Sequence, residues 1–380
     1  MSDIPNPLAA FDLFNSRFEV KPKKTKKSKT EAFKKLFSKK ITKKLFGKKL
    51  SEIKEIVAEL GLPKFAATQI TDWLYKKDIT TIAEMTNLSA RNREILSEKY
   101  EFGVSLPVKE EVSMDGTKKY LYKITETRFV ESAYMPEEKR DTLCVSTQVG
   151  CKMKCVFCMT GKQGFQQNLS AGEIVNQVRS LPERESISNV VYMGMGEPMD
   201  NLEAVMDSLE IFTADWGFAM SPKRFTVSTI GLTPAMKHFL DFSKCNLAVS
   251  LHTPFDSERL QLMPIQKVHQ ISDVVHTIKQ YDWAGQRRVF FEYIMFKDLN
   301  DTPEHARELI KLLSRLSCRV NLIRFHKVPG VELEGTSDKD MIAFRDTLTA
   351  GGVFSTIRQS RGQDIAAACG MLSTKEANKA

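Results

Sequence analysis

From Leu143 onward the chain alternates between short β-branched or aromatic runs and longer amphipathic ones. The strand-like runs are TLCVSTQ, NVVYMGMG, FTVSTIG, NLAVSLH, RRVFFEYIMF and RVNLIRFH; between them lie AGEIVNQVRSL, NLEAVMDSLEIFTAD, PAMKHFLDFS, ISDVVHTIKQY and PEHARELIKLL. Neighbouring parallel strands need a long crossover, usually a helix, so six such units in series imply an α/β chain built on a parallel sheet. Several of the runs are apolar nearly throughout, as strands covered on both faces are. A closed barrel, a partial barrel and a doubly wound sheet all satisfy this pattern. In each of them ligands bind at the carboxyl ends of the strands.

The flanks divide the rest of the chain. KKYLYKI and RFVESAYM read as further strands, with Asp115-Gly116 as the turn that starts the first hairpin. LSEIKEIVAELGL, FAATQITDWLYKK and NREILSEKY carry apolar residues at helical spacing, and the first ends at the stop signal Gly61-Leu62-Pro63. The expected organisation is a basic tail over 1–47, a helical accessory domain over 48–115, an α/β core over 116–372 and a short tail over 373–380.

The net charge of +9 is misplaced if read as a property of the whole. Residues 21–49 hold fourteen lysines against the single acid Glu31, a charge of +13, so the other 351 residues carry −4. The body is mildly acidic, and the Lys-rich arm, with its echo of KKLF at 34–37 and 43–46, is expected to be disordered when free and to attract polyanions. No run of about 18 apolar residues is present, which excludes a membrane-spanning helix. The amino terminus lacks the apolar stretch of a secretory signal, so the expected location is cytoplasmic.

Cysteine usage points to chemistry. Three of the seven cysteines, Cys151, Cys155 and Cys158, form CxxxCxxC just after the first strand of the alternating series, hence at a carboxyl end. Three thiolates fill three corners of a [4Fe–4S] cluster and leave one iron open. That iron can chelate the amine and carboxylate of S-adenosylmethionine, and an electron from the cluster then splits the sulfonium to a 5′-deoxyadenosyl radical. Structural zinc takes four ligands from paired elements, and no second pair lies nearby. Packed core thiols would not be flanked by Lys152, Lys154 and Lys162. Cys245 and Cys318, each just before a strand, read as packing thiols.

The segments CVSTQVGCKMKCVFCMTGKQGF (144–165), GMGEPMDN (194–201), VSTIG (227–231), SLH (250–252) and RGQDIAAACG (361–370) together resemble the RlmN/Cfr family of radical S-adenosylmethionine RNA adenine methyltransferases. The likeness runs from about residue 50 to Met371. It implies a partial (βα)6 radical-SAM barrel. It also implies cluster ligation by Cys151, Cys155 and Cys158. Gly196 and Glu197 then bind the methionine moiety, with further cofactor contacts from Ser228, Ser250, Leu251 and His252. The next contact is commonly an Asn in an NLIPxN-like segment; here NLIRFH holds His326.

The same resemblance assigns Cys369 as the methyl carrier, Cys144 as the cysteine that resolves the intermediate and Glu131 as proton acceptor. Two molecules of S-adenosylmethionine serve each turnover: one methylates Cys369, and the other yields the radical that activates that methyl for addition to adenine. Cys144 then releases the product by forming a disulfide with Cys369. Implied partners are 23S rRNA, certain tRNAs and an electron donor such as flavodoxin or ferredoxin, with the enzyme a monomer. Methylation at carbon 2 is the expected reaction. A Cfr-like reaction at carbon 8 and a radical reaction on a non-RNA substrate stand beside it.

Overall fold

The structure, a computed structural model, describes residues 43–374 apart from Ala284 and Gln286. The expected disorder of the basic arm and most of the closing tail falls outside these residues.

Three helices form the first module: α1 (Leu50–Glu59), α2 (Ala66–Tyr75) and α3 (Ala90–Lys99). Helix α1 buries Ile53, Ile56 and Val57 and stops where expected, with the Gly61 and Leu62 amides bonded back to Ala58 and Val57. Ser89 caps α3 by accepting from the Asn92 amide at 3.2 Å. Two short parallel strands, β1 (Lys43–Lys44) and β2 (Tyr100–Glu101), close the module. This moves a boundary. The stretch read as the end of a solvated arm carries Leu45 and Phe46, both buried, whose amides bond to Glu101 and Phe102. The Phe46 ring lies 5.6 Å from that of Tyr75. The second KKLF thus belongs to the fold, because its apolar pair fills the module that its lysines border.

A ten-stranded sheet makes the body. Strands β3 (Lys109–Val112), β4 (Lys118–Thr125), β5 (Arg128–Met135) and β6 (Asp141–Cys144) come first, each antiparallel to the next. The Asp115-Gly116 turn joins β3 to β4, so β3 belongs to the sheet although it lies within the stretch read as the helical domain. A small pair, β7 (Gln148–Val149) and β8 (Gln167–Asn168), flanks the cysteine loop. Then β9 (Ile187–Tyr192), β10 (Phe225–Thr229), β11 (Asn246–Ser250), β12 (Val289–Met295), β13 (Cys318–Arg324) and β14 (Ser355–Ile357) follow, parallel to β6 and to each other. The spatial order is β14-β13-β12-β11-β10-β9-β6-β5-β4-β3. The two outer strands do not meet, so the six expected units form a partial barrel, extended on one side by the hairpin strands and on the other by β14.

Connecting helices are α4 (Met159–Gln163), α5 (Ala171–Arg179), α6 (Leu202–Thr213), α7 (Thr233–Phe242), α8 (Asp256–Leu262), α9 (Ile271–Lys279), α10 (Pro303–Leu313) and α11 (Asp338–Ala350). Ser170 and Glu173 form a capping box that starts α5. Val227, Leu247, Val249, Phe291, Tyr293, Val320 and Leu322 are fully buried in the sheet's core. Cys245 and Cys318 pack in the same core. Among the described residues no helix is long and apolar enough to cross a membrane.

Candidate active site

Each parallel strand delivers a side chain to one cavity from its carboxyl half. Cys144 ends β6, Met193 and Gly194 follow β9, Ser228 lies near the end of β10 and Ser250 ends β11. Glu292 and Ile294 come from β12, Ile323 from β13, and Arg358 directly follows β14. The cavity has about 1150 Å³ of empty space, open mouth included. This is the position that a parallel α/β sheet gives its ligands.

The cysteine loop forms one wall. Cys151, Cys155 and Cys158 all line the cavity. Among the described residues no three acidic, Cys or His side chains converge on a point, as a single metal ion requires. The three thiols instead face a shared space, which suits a polynuclear cluster whose irons each take one thiolate. Burial pushes the Cys151 thiol up to about 12 and the Cys155 thiol well above its ordinary value. A bound cation would reverse that preference. The donor set therefore fits a cluster held by three thiolates.

Beside it, Glu197 is buried, with Oε1 accepting from the Met199 amide at 3.0 Å and Oε2 from the Ile230 amide at 2.9 Å. Burial pushes this carboxyl up to about 7 despite those donors. A buried acid held by neutral donors is suited to a ligand's ammonium group. The Glu197 amide donates to Gln148 Oε1, and Gln148 Nε2 reaches Asp200, which pairs with Lys152 of the cysteine loop. Gln148 thus ties GMGEP to the cluster motif.

His252 is buried with φ +61. Its Nδ1 accepts from the Ile294 amide at 3.0 Å, so the ring proton sits on Nε2. Burial, with Arg259 adding, lowers its pKa to about 3 and keeps the ring neutral. Arg259 itself is fully buried and donates to the carbonyls of Ile230, Ser250 and Leu251, fixing the ends of two strands.

Two more thiols face the cavity. Cys369 sits exposed on the segment 361–374, and Cys144 is buried at the end of β6, packed with Ala133 and Ala367; both line the cavity. Burial pushes Cys144 up to about 12, and although Cys369 is exposed as a residue, desolvation around its sulfur raises it to about 11, while Arg358 pulls both the other way. Glu131 does not line the cavity. It is buried on β5, two residues from Ala133, which pairs with Cys144. Its carboxylate meets Lys119 Nζ at 3.3 Å and accepts from the Ser373 amide at 2.9 Å. Leu251 is fully buried just behind Ser250 and also stands off the cavity surface. His326 lies outside the lining and is half-buried near Arg324.

Gln148, Arg259, Glu292 and Arg358 escape sequence reading. Gln148 sits inside the cysteine segment and Arg358 three residues before RGQDIAAACG. A polar residue at an otherwise apolar strand end was the available signal, but only the fold shows that they meet.

An open α/β sheet with a three-thiol loop after its first parallel strand defines a radical S-adenosylmethionine enzyme. The model of the Radical SAM superfamily matches residues 145–313, and that of the ribosomal RNA large subunit methyltransferase N-terminal domain matches 43–102. The latter match includes Leu45 and Phe46, which pack in the helical module. A relative from Phocaeicola vulgatus, named as a dual-specificity RNA methyltransferase RlmN, is 56% identical over 88% of this chain and 96% of its own. One of the same name from a Nitratiruptor species is 42% identical over 85% and 96%. The crystal structure of a radical SAM methyltransferase from Sphaerobacter thermophilus superposes with a TM-score of 0.82 at 36% identity, covering 87% of this chain and 99% of that one. The chain belongs to the RlmN family of radical SAM RNA methyltransferases.

Proposed function

We propose that this enzyme methylates carbon 2 of a specific adenine in 23S rRNA, and of adenine in certain tRNAs, through a methyl group carried on Cys369. The observation that carries the reading is the pairing of two thiols outside the cluster set, Cys144 and Cys369, in the cavity that also holds Cys151, Cys155 and Cys158. A radical enzyme acting directly on its substrate has no use for that pair.

When bound, the [4Fe–4S] cluster and S-adenosylmethionine supply a carbon-centred radical. This chain's residues do the rest. Glu197 and the strand-end serines hold the polar end of the ligand, and His252 offers an Nε2 proton. Cys369 takes the methyl from one S-adenosylmethionine and presents it to the base, so each turnover consumes two. Glu131, whose carboxyl burial raises despite Lys119 and the Ser373 amide, is the acceptor of the ring proton, which must reach it by relay because the carboxylate stands off the cavity lining. Cys144 then attacks the Cys369 sulfur, and an external reductant reopens the disulfide. An adenine must leave its stack to enter.

The test is methylation of protein-free ribosomal RNA and of tRNA by reconstituted enzyme, with mass spectrometry of the nucleosides. Carbon-2 methyladenosine is the expected product. A carbon-8 product would place the enzyme with the Cfr branch, and no methylated base would remove the reading. The basic arm is proposed to attract RNA. Its deletion should stop at residue 42, since Leu45 and Phe46 are core. Weaker RNA binding with a flatter salt dependence is expected, and an unchanged slope would deny the arm that role.

A further inference from the structure

Arg358 has no part in cofactor binding or radical formation as described, yet it lines the cavity that both extra thiols share. We infer that Arg358 is a positioning residue for product release: anchored on Met193, which packs against Cys144, its guanidinium lines the cavity that Cys144 and Cys369 share and steadies the Cys144 sulfur as it attacks that of Cys369. The inference rests on the methyl-cysteine reading above and assigns a residue to its last step.

The side chain is fixed at both ends. Its backbone amide donates to Leu322 at 2.8 Å, and its carbonyl accepts from Arg324 Nη1 at 3.2 Å. Nη1 stands 3.4 Å from Glu292 Oε2 and 3.6 Å from Met193 Sδ. Glu292 is itself held: Oε1 accepts from Asn321 Nδ2 at 2.8 Å, and Asn321 Oδ1 accepts from Thr356 at 3.0 Å. Arg358 engages these partners through Nη1, and the residue lines the cavity. A planar guanidinium with one edge anchored is suited to present charge in a set direction.

The charges around Cys144 leave one source of help. Burial opposes a charge on Cys144, and the Cys369 sulfur, a neutral thioether at this step, neither opposes nor favours one. On β5, Glu131 is engaged by Lys119. Arg358 is the cation that acts on both thiols, and Glu292 is its carboxylate partner. Arg259, the other buried cation near the strand ends, stands off the cavity lining and has its donors committed to carbonyls and Gln266.

The step balances. Cys144 loses its proton and its thiolate attacks Cys369 Sγ. The S–S bond forms as the bond from that sulfur to the base-linked methylene breaks. The electron pair passes to the methylene carbon, which takes a proton and becomes the methyl of the product. Two cysteine sulfurs are oxidised together by two electrons, and the carbon is reduced by two.

The experiment follows the enzyme–RNA adduct on denaturing gels during a single turnover of reconstituted enzyme. Cys144→Ala runs in parallel, because the proposed mechanism requires it to trap the adduct. Arg358→Gln is expected to form the adduct and to resolve it at least about tenfold more slowly than wild type, with Arg358→Lys restoring most of the rate. Arg358→Met keeps the stem's packing and carries the same comparison if the Gln variant is unstable in a thermal melt. Resolution at the wild-type rate in Gln or Met, failure of both to form adduct, or a Lys variant as slow as Gln would each overturn the assignment. If Cys144→Ala traps nothing, the methyl-cysteine reading fails instead, and the two failures are distinguished.

Discussion

Two segments bring sulfur to the same cavity, and they are held in different ways. The cysteine loop is fixed by backbone. The Gln166 and Leu169 amides bond to Val149 and Thr147, and the Val156 amide to Leu262. The segment 361–374 is fixed largely by side chains. Asp115 accepts from the Gly362 amide, Asp364 from Ser113 and the Met114 amide, Glu131 from the Ser373 amide, and Gln163 exchanges bonds with Thr374. Backbone ladders do not respond to protonation or to a ligand, whereas carboxylate clamps do. On the proposed mechanism this is the required difference, since the cluster must stay in place while Cys369 meets a methyl donor, a base and Cys144 in turn.

The largest effects should separate the two sets of thiols. Cys155→Ala is expected to lose bound iron and sulfide, and with them both cleavage of S-adenosylmethionine and RNA methylation. Cys369→Ala should abolish methylation while cleavage continues. Iron content and product assays on both variants check this. Methylation surviving in Cys369→Ala would erase the distinction between the segments.

Glu131→Gln comes next. Methylation is expected to fall about 10²–10⁴-fold, the usual worth of a general base. Stability should move the other way. A carboxyl raised by burial favours the fold in its protonated form, so that contribution is present below the unfolded pKa and is lost as pH rises through the folded one. The amide avoids that loss and keeps an acceptor for Ser373. The melting temperature of the variant at neutral pH is therefore expected to equal or exceed that of wild type. A clear drop would show that the Lys119 pair outweighs desolvation.

Much of this was legible beforehand because the informative residues are close in sequence. The βα alternation shows in windows of about ten residues, and the cluster thiols lie within eight. What could not be read depends on distance. Strand β14 has only three residues and shows no period. Arg358 meets Glu292 across 66 positions. The charge of the arm hid Leu45 and Phe46, because two apolar residues among lysines have the same local composition whether solvated or packed. His326 lies two residues past the end of β13, outside the cavity lining, and its segment alone does not fix what it faces.

Glycine substitutions test the same contrast at smaller scale. A Cβ at Gly150, where φ is +73, would stand 1.7 Å from the Gly164 carbonyl oxygen. Gly150→Ala should cost about 3 kcal/mol or more, from strain and a backbone clash together. At Gly370 φ is +80, but the nearest atom would be 3.4 Å away. Gly370→Ala should cost about 1 kcal/mol. Denaturation midpoints measure both, and equal costs would mean that the segment bearing Cys369 is packed as tightly as the loop.

The smallest predicted effect concerns the clamp itself. Burial alone would raise Asp115, but bonds from Thr117, the Gly362 amide and Ser113 bring it down to about 2. Asp364 is lowered by Ser113 and the Met114 amide. Groups with lowered folded values contribute above their unfolded pKa, about 4. The contribution fades as pH falls through the folded values. Hydrogen exchange at Gly362 and Met114, corrected for intrinsic rates, should stay constant from neutral pH to about 4 and quicken below it. In Asp364→Ala, Met114 should lose protection at every pH, and methylation should fall only about two- to fivefold, because Asp115 still grips Gly362. Protection already lost near pH 6 would mean that something other than these carboxylates holds the segment, and the contrast with the cysteine loop would then rest on Glu131 and Gln163 alone.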